Sequence, residues 1–281
     1  MNKPRADRWT PARVLVHLFL VLFSLATIYP ILSIITISLR PSDQLYSTSL
    51  AIIPPGASLK AYHTMLFEKP FLLWLANSFI VSVAVTIFGV TLASTAAYAF
   101  SRYRFAGRGS GLYLFLITQM FPATMTMLPL YVLMKSLHLL DTFAGLVVAY
   151  TATALPFCVW TMRGYYDTIP VELEQAALID GCGPWEAFTR VTLPLAAPAL
   201  SITALFSFMA AWSEFLVARI IISQQEHYTL PLGLESLAGQ FQTEWANYAA
   251  GSLMVCVPVM VLFIVLNRYI VSGLSLGGVT G

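Results

Sequence analysis

The chain has 281 residues, 58% of them apolar and only 10% charged, with a formal net charge of +2 and a mean hydropathy of +0.76. Soluble domains carry about 25% charged residues, and a soluble core of this size could not hide so much apolar surface. The composition therefore excludes an ordinary soluble domain and makes a bilayer the natural solvent. Cys158, Cys182 and Cys256 lie far apart, with neither a CxxC pair nor zinc-ligand spacing. They read as small apolar residues.

In chain order, a basic head (Lys3, Arg5, Arg8, Arg13) precedes an apolar run from Val14 to Leu39 that holds no Asp, Glu, Lys or Arg. The run is too long for a signal-peptide core and lacks a clear cleavage site, so it reads as an uncleaved first span. Five further apolar segments follow, at 71–99, 111–134, 143–162, 196–218 and 248–267. Each is near the roughly 20 residues that cross a bilayer at about 1.5 Å per residue. Pro30, Pro122, Pro129, Pro156 and Pro258 interrupt several of them, which membrane helices tolerate when neighbours satisfy the freed carbonyls. The expected fold class is all-α transmembrane. A tail of residues 1–13 precedes a six-span domain over 14–267, which includes a polar loop at 163–195, and a tail over 268–281 follows.

Charge placement orients the spans. Lys3, Arg5, Arg8, Arg13, Arg102, Arg104, Arg108, Arg163, Arg190 and Arg268 fall on one side, and Arg40, Lys60, Lys69, Lys135 and Arg219 on the other. The richer side is expected to be cytoplasmic, with both termini inside and the stretches 40–70 and 219–247 outside. In 52–67, paired prolines favour extended backbone and a short helix is expected to begin near Ser58. The aromatics of 223–250 suit either interfacial anchoring or a protein contact.

Residues 170–194 read "PVELEQAALIDGCGPWEAFTRVTLP". Pro170 opens a helix at no hydrogen-bond cost, Glu172 and Glu174 suit its first turn, and Gly181 with Gly183 brackets a break. Pro184 starts a second short helix carrying Trp185, Phe188 and Val191, which Pro194 is expected to end. Two readings stand side by side. Small and apolar residues in one stripe fit a groove on another protein. Alternatively, the hairpin lies on the membrane, although Glu172, Glu174, Asp180 and Glu186 against Arg190 are unattractive to an anionic leaflet.

This stretch also resembles the EAA loop of the membrane subunits of ATP-binding-cassette importers, and most nearly the MalG-type permeases of maltose and related sugar transporters. Ala176 and Ala177 fill the alanines, Asp180 and Gly181 the Asp-Gly, Phe188 the aromatic, and Leu193 with Pro194 the close; Gln175 stands where the family has glutamate. "NSFIVSVAVTIFGVTLASTAAYAFSRYRFAGR" (77–108), "SFMAAWSEFL" (207–216, with Ser213 replacing the family's asparagine) and the tail "VSGLSLGGVTG" (271–281) extend the likeness over nearly the whole chain.

The resemblance implies a six-helix importer permease fold (MetI-like) in the bacterial inner membrane, importing a sugar, most naturally maltose or maltodextrin. The alternative is a permease for another oligosaccharide, a polyol or glycerol-3-phosphate. The implied partners are a sister permease (MalF-type), a homodimeric cytoplasmic ATPase (MalK-type) and a periplasmic or lipid-anchored sugar-binding protein, with no nucleic acid. The implied coupling residues are Glu172, Glu174, Gln175, Ala176, Ala177, Asp180, Gly181, Phe188 and Pro194, together with Gly277 and Gly278 of the tail. In the family, the counterpart of 223–247 contacts the binding protein.

The chain has no GxxxxGK[ST] loop to cradle phosphates, so ATP and Mg would be used by the partner ATPase, and this chain is expected to bind no cofactor. It also lacks HExxH, and His17, His63, His138 and His227 are scattered, so no enzyme is expected. Glu214, Asn77 and Gln119 are polar residues inside or beside spans, candidates either to line a pathway or to brace helices.

Overall fold

The computed structural model describes residues 11–41, 51, 53–239 and 243–277, with the backbone alone over 268–277. Helices dominate them: α1 (Pro11–Ser38), α2 (Lys60–His63), α3 (Phe71–Arg102), α4 (Arg108–Gln119), α5 (Ala123–Ser136), α6 (Phe143–Tyr166), α7 (Val171–Ile179), α8 (Pro184–Ala187), α9 (Leu193–Leu195), α10 (Ala197–Trp212), α11 (Leu216–Ile221), α12 (Leu230–Glu235) and α13 (Trp245–Gly277). Among the described residues, α1, α3, α6 and the Trp245–Asn267 part of α13 are long and apolar enough to cross a membrane. Two bent pairs raise that number to six.

The chain divides into two compact units. One joins residues 1–69 and 237–254, the other residues 70–236 and 255–281. In the first, α1 exposes apolar side chains along most of its length, as a lipid-facing helix does. Ser38 Oγ and Tyr62 Oη lie 2.8 Å apart, and Lys69 Nζ donates to Glu244 Oε1 at 2.8 Å. Ser58 Oγ accepts the Lys60 N–H at 3.1 Å, opening the short helix where the sequence places it.

The second unit is built on α3, α6 and α10, which pack against one another. The buried face of α3 runs through Trp74, Asn77, Ser78, Val81, Val85, Gly89, Ala93 and Ala97. This three- and four-residue spacing is that of one helix face, and the small residues let helices approach closely. A Cβ on Gly89 would meet Ser207 Oγ at 3.2 Å. Ala154, Cys158 and Met162 of α6 and Ala199 of α10 complete the core at one end of α3. Leu146, Ala149 and Tyr150 of α6 with Ala211 complete it at the other.

Three boundaries differ from the expectation. The segment 111–134 is not one straight helix, because α4 and α5 meet at 104°. The break falls at Pro122, which lacks an N–H and drives the preceding residue out of the helical region. The segment 196–218 ends as a helix at Trp212, and α11 starts afresh at Leu216. Pro194 does not end the second helix of the polar hairpin. It sits in the first turn of α9, where a missing N–H is harmless, and the 78° turn into α10 comes after Leu195. In addition, α13 continues ten residues past the expected span end, to Gly277.

At one point the packing leaves no room at all. A Cβ on Gly233 of α12 would fall on the indole of the buried Trp74. Overpacking of this kind costs about 1–3 kcal/mol, so Gly233→Ala should lower the melting temperature of the detergent-solubilised protein, and an unchanged melting curve would contradict this packing.

Candidate functional site

The polar insert folds as the helix–turn–helix its sequence indicates. α7 begins after Pro170 and carries Glu172 and Glu174 in its first turn, where the helix dipole favours acids. It ends in a Schellman motif. The Cys182 N–H donates to Ala177 O at 3.0 Å and the Gly181 N–H to Leu178 O at 3.1 Å, with Gly181 at φ +92°. That left-handed conformation is why glycine stands there. α8 is then capped by Glu186, whose Oε2 accepts the Gly183 N–H at 3.1 Å. A π-turn over Phe188–Thr192 carries the chain on to α9.

A buried ion pair fixes this hairpin to α3. Arg102 Nε donates to Glu174 Oε1 at 2.7 Å, and the two side chains are 9% and 8% exposed. Tyr98 Oη donates to Glu174 Oε2 at 2.9 Å. The same guanidinium donates through Nη2 to Ile169 O at 2.9 Å and through Nη1 to Ser101 Oγ at 3.1 Å. Ser101 Oγ in turn donates to Asp167 Oδ1 at 2.6 Å. The Tyr98 ring also packs at a tilt against the buried Phe188, with ring centroids 4.5 Å apart. One arginine thus joins the last turn of α3, the α6–α7 link and the first turn of α7.

The expected coupling residues separate into two groups. Glu174 and Phe188 are buried against the chain's own helices, while Glu172, Gln175, Ala176, Asp180 and Pro194 are exposed and Ala177 is half-buried. Glu174, rather than the Gln175 beside it, is the residue turned inward to a cation. Gly277 closes α13, and Gly278 lies outside the described residues. The exposed face is more apolar than its acids suggest, with Ile179 86% and Trp185 66% exposed and Leu173 and Leu178 alongside.

The residues flagged within spans do not converge on one site; each braces a different junction. Asn77 Nδ2 donates to Glu226 O at 2.8 Å and to Tyr228 O at 3.0 Å, and Ser78 Oγ accepts the Leu230 N–H at 2.6 Å. Gln119 Nε2 donates to Thr153 O at 3.0 Å, a carbonyl three residues before Pro156. Glu214 accepts the N–H groups of Val217 and Ala218 at 3.0–3.2 Å, capping α11.

Sequence reasoning missed Asp141. It stands between α5 and α6 at φ 59°, and its Oδ1 accepts the backbone N–H groups of Ser223 and Gln224 at 3.1 Å, with His227 Nδ1 3.4 Å away. Burial alone would raise its pKa, but these hydrogen bonds prevail and hold the carboxyl below its usual range. Its one sequence signal was an isolated acid just before the helix-capping Thr142. Arg102 was counted only as a topology charge, and nothing local in the sequence marks its partner 72 residues away.

Residues 87–274 match the family described as the binding-protein-dependent transport system inner membrane component. The chain is 34% identical to the maltodextrin transport system permease protein MdxG of Bacillus subtilis, covering 96% of each chain. It is 36% identical to the maltose/maltodextrin transport system permease protein MalG of Escherichia coli K12, over 100% of this chain and 99% of that one. The crystal structure of a bacterial ABC transporter that imports the acidic polysaccharide alginate contains a chain with the same fold. It aligns at a TM-score of 0.81 and 23% identity, over 94% of this chain and 99% of that one.

Two outcomes are expected. Removing one member of a buried ion pair strands the other and costs about 3–5 kcal/mol, so Arg102→Met and Glu174→Gln should each lower the melting temperature markedly. Adding the second substitution should cost little more, and simple additivity of the two in the double variant would argue against a direct pair. For Asp141, the native-state pKa is depressed. Its contribution is therefore complete above the unfolded carboxylate value of about 4 and is lost as pH falls through the lower native value. Hydrogen exchange at the Ser223 and Gln224 amides should stay slow down to about pH 4 and accelerate only below it, while Asp141→Ala should exchange fast throughout.

Proposed function

The chain belongs to the family of binding-protein-dependent transport system inner membrane components, and we propose that it is the permease subunit of an ATP-driven maltose or maltodextrin importer. The full-length identity to two maltodextrin permeases supports the substrate class. The observation that carries the mechanism is the hairpin 171–195, held to α3 by a buried ion pair while Ile179 and Trp185 stand 86% and 66% exposed at its tip. An apolar tip on an acidic, rigidly mounted hairpin is a surface built for a partner.

That partner is a homodimeric cytoplasmic ATPase, into whose cleft α7 and α8 seat. ATP and Mg are bound and used there, and this chain contributes no catalytic group. Closure of the ATPase dimer displaces the hairpin, and the spans convert that displacement into a pathway open to one side at a time. A sister permease completes the pathway, and a sugar-binding protein delivers the sugar to the outer face, where 223–247 meets it. Both termini, the loop 101–110 and the hairpin lie in the cytoplasm, as the excess of arginine and lysine on that side supports.

The test is reconstitution with the ATPase, sister permease and binding protein in liposomes, followed by uptake of labelled maltodextrin. Removing an interface aromatic anchor costs about 2 kcal/mol, roughly thirtyfold in affinity. Ile179→Asp with Trp185→Ala should therefore release the ATPase and abolish ATP-dependent uptake while the protein still inserts and folds. Uptake that needs no ATPase would overturn the mechanism, and uptake of a polyol or sugar phosphate in place of maltodextrin would overturn the substrate.

A further inference from the structure

Among the described residues, four helices carry an internal proline, α1 at Pro30, α5 at Pro129, α6 at Pro156 and α13 at Pro258, and α4 meets α5 at 104°. α3 is different. It runs 32 residues from Phe71 to Arg102 without a proline, about 48 Å at 1.5 Å per residue. Proline and bends are where helices yield, so α3 is the stiffest element that passes through this unit.

Both ends of α3 are tied by side chains to segments far away in sequence. At one end Arg102 and Tyr98 hold Glu174 of the hairpin at 2.7 and 2.9 Å. At the other end Asn77 holds the carbonyls of Glu226 and Tyr228 at 2.8 and 3.0 Å, and Ser78 holds the Leu230 N–H at 2.6 Å. Trp74 and Gly233 are in close contact at the same end. Asn77 and Ser78 are themselves buried, so their bonds do not compete with water.

We propose that α3 is a connecting rod: it carries displacement of the α7–α8 hairpin directly to the segment 226–230, with Arg102 and Tyr98 as the positioning residues at one end and Asn77 and Ser78 at the other. The inference deepens the reading of the hairpin as the ATPase-docking site and rests on it. It adds a route from that site to the 226–230 segment that bypasses the proline-containing helices. ATP-state changes and events at the 226–230 segment are then two readings of one rigid body.

The test uses the transporter purified from its own membranes with its ATPase and placed in lipid nanodiscs. Cys158, Cys182 and Cys256 are replaced by alanine or serine, and nitroxides are attached at Gln175→Cys and Gln225→Cys, two exposed positions. The lineshape at position 175 reports whether the hairpin responds to trapping with Mg-ADP-vanadate. The distance between the two labels reports whether the ends of α3 move together.

The expected result is a changed lineshape at 175 with an unchanged label-to-label distance. In Asn77→Ala combined with Ser78→Ala, the distance should shift or broaden on trapping. Asn77→Asp, which keeps the side chain's size and removes both donors, serves if the double variant does not fold. A distance that changes on trapping in the unaltered pair of clamps, or that stays constant when they are severed, overturns the rod and leaves the docking assignment standing. A lineshape at 175 that ignores vanadate trapping overturns both.

Discussion

The ion pair between Arg102 and Glu174 is the contact on which the arrangement of the polar hairpin depends. Among the described ion pairs it is the one in which both side chains are less than a tenth exposed; the others range from half-buried, as Lys69–Glu244 is, to exposed, as Arg190–Glu186 is. A buried ion pair contributes little net stability, because desolvation offsets most of its attraction. Its value lies in direction. A guanidinium presents several donors in a fixed plane, and here they reach Glu174, Ile169 O and Ser101 at once. An apolar contact of similar strength would allow α7 to slide or rotate on α3, whereas this one defines its register.

That constraint explains why the hairpin combines two opposed properties. Its inner face is closed by Glu174, Ala187 and Phe188, and its outer face leaves Ile179 and Trp185 in solvent. A loose loop with the same sequence would fold its apolar residues inward. Held by Arg102 at its start and by the Schellman turn at Gly181, the hairpin has no freedom to do so. Exposure of the tip is a consequence of rigidity elsewhere.

Much of the fold was legible because the bilayer imposes a simple rule: long uncharged runs become spans, and α1, α3, α6 and the first part of α13 follow it. The hairpin was legible for a different reason, since Pro170, Gly181, Gly183 and Pro184 are local signals with local causes. What escaped were features decided by tertiary geometry. Pro122 turns the chain through 104° instead of merely kinking it, because the two short helices beyond and before it pack on different neighbours. Pro194 is accommodated in a first turn, so the same residue that signals an end in the sequence stands at a beginning in the structure. The choice of Glu174 over Gln175 as the inward residue depends on the rotation of α7, which hydrophobic patterning over nine residues does not determine.

The distribution of proline follows from the same division between local and tertiary causes. A helix in a bilayer cannot leave backbone groups unpaired, so each proline, which takes the donor from the carbonyl four residues before it, must be compensated by a neighbour. Such compensation is an arrangement of two helices, and it changes whenever they move relative to each other. α3 needs no compensation of this kind along its length, and its polar side chains Asn77, Ser78 and Arg102 are free to bind other segments instead. A helix that spends its polar groups on its own repair can brace only its immediate neighbour, and an unbroken one can join places that are far apart.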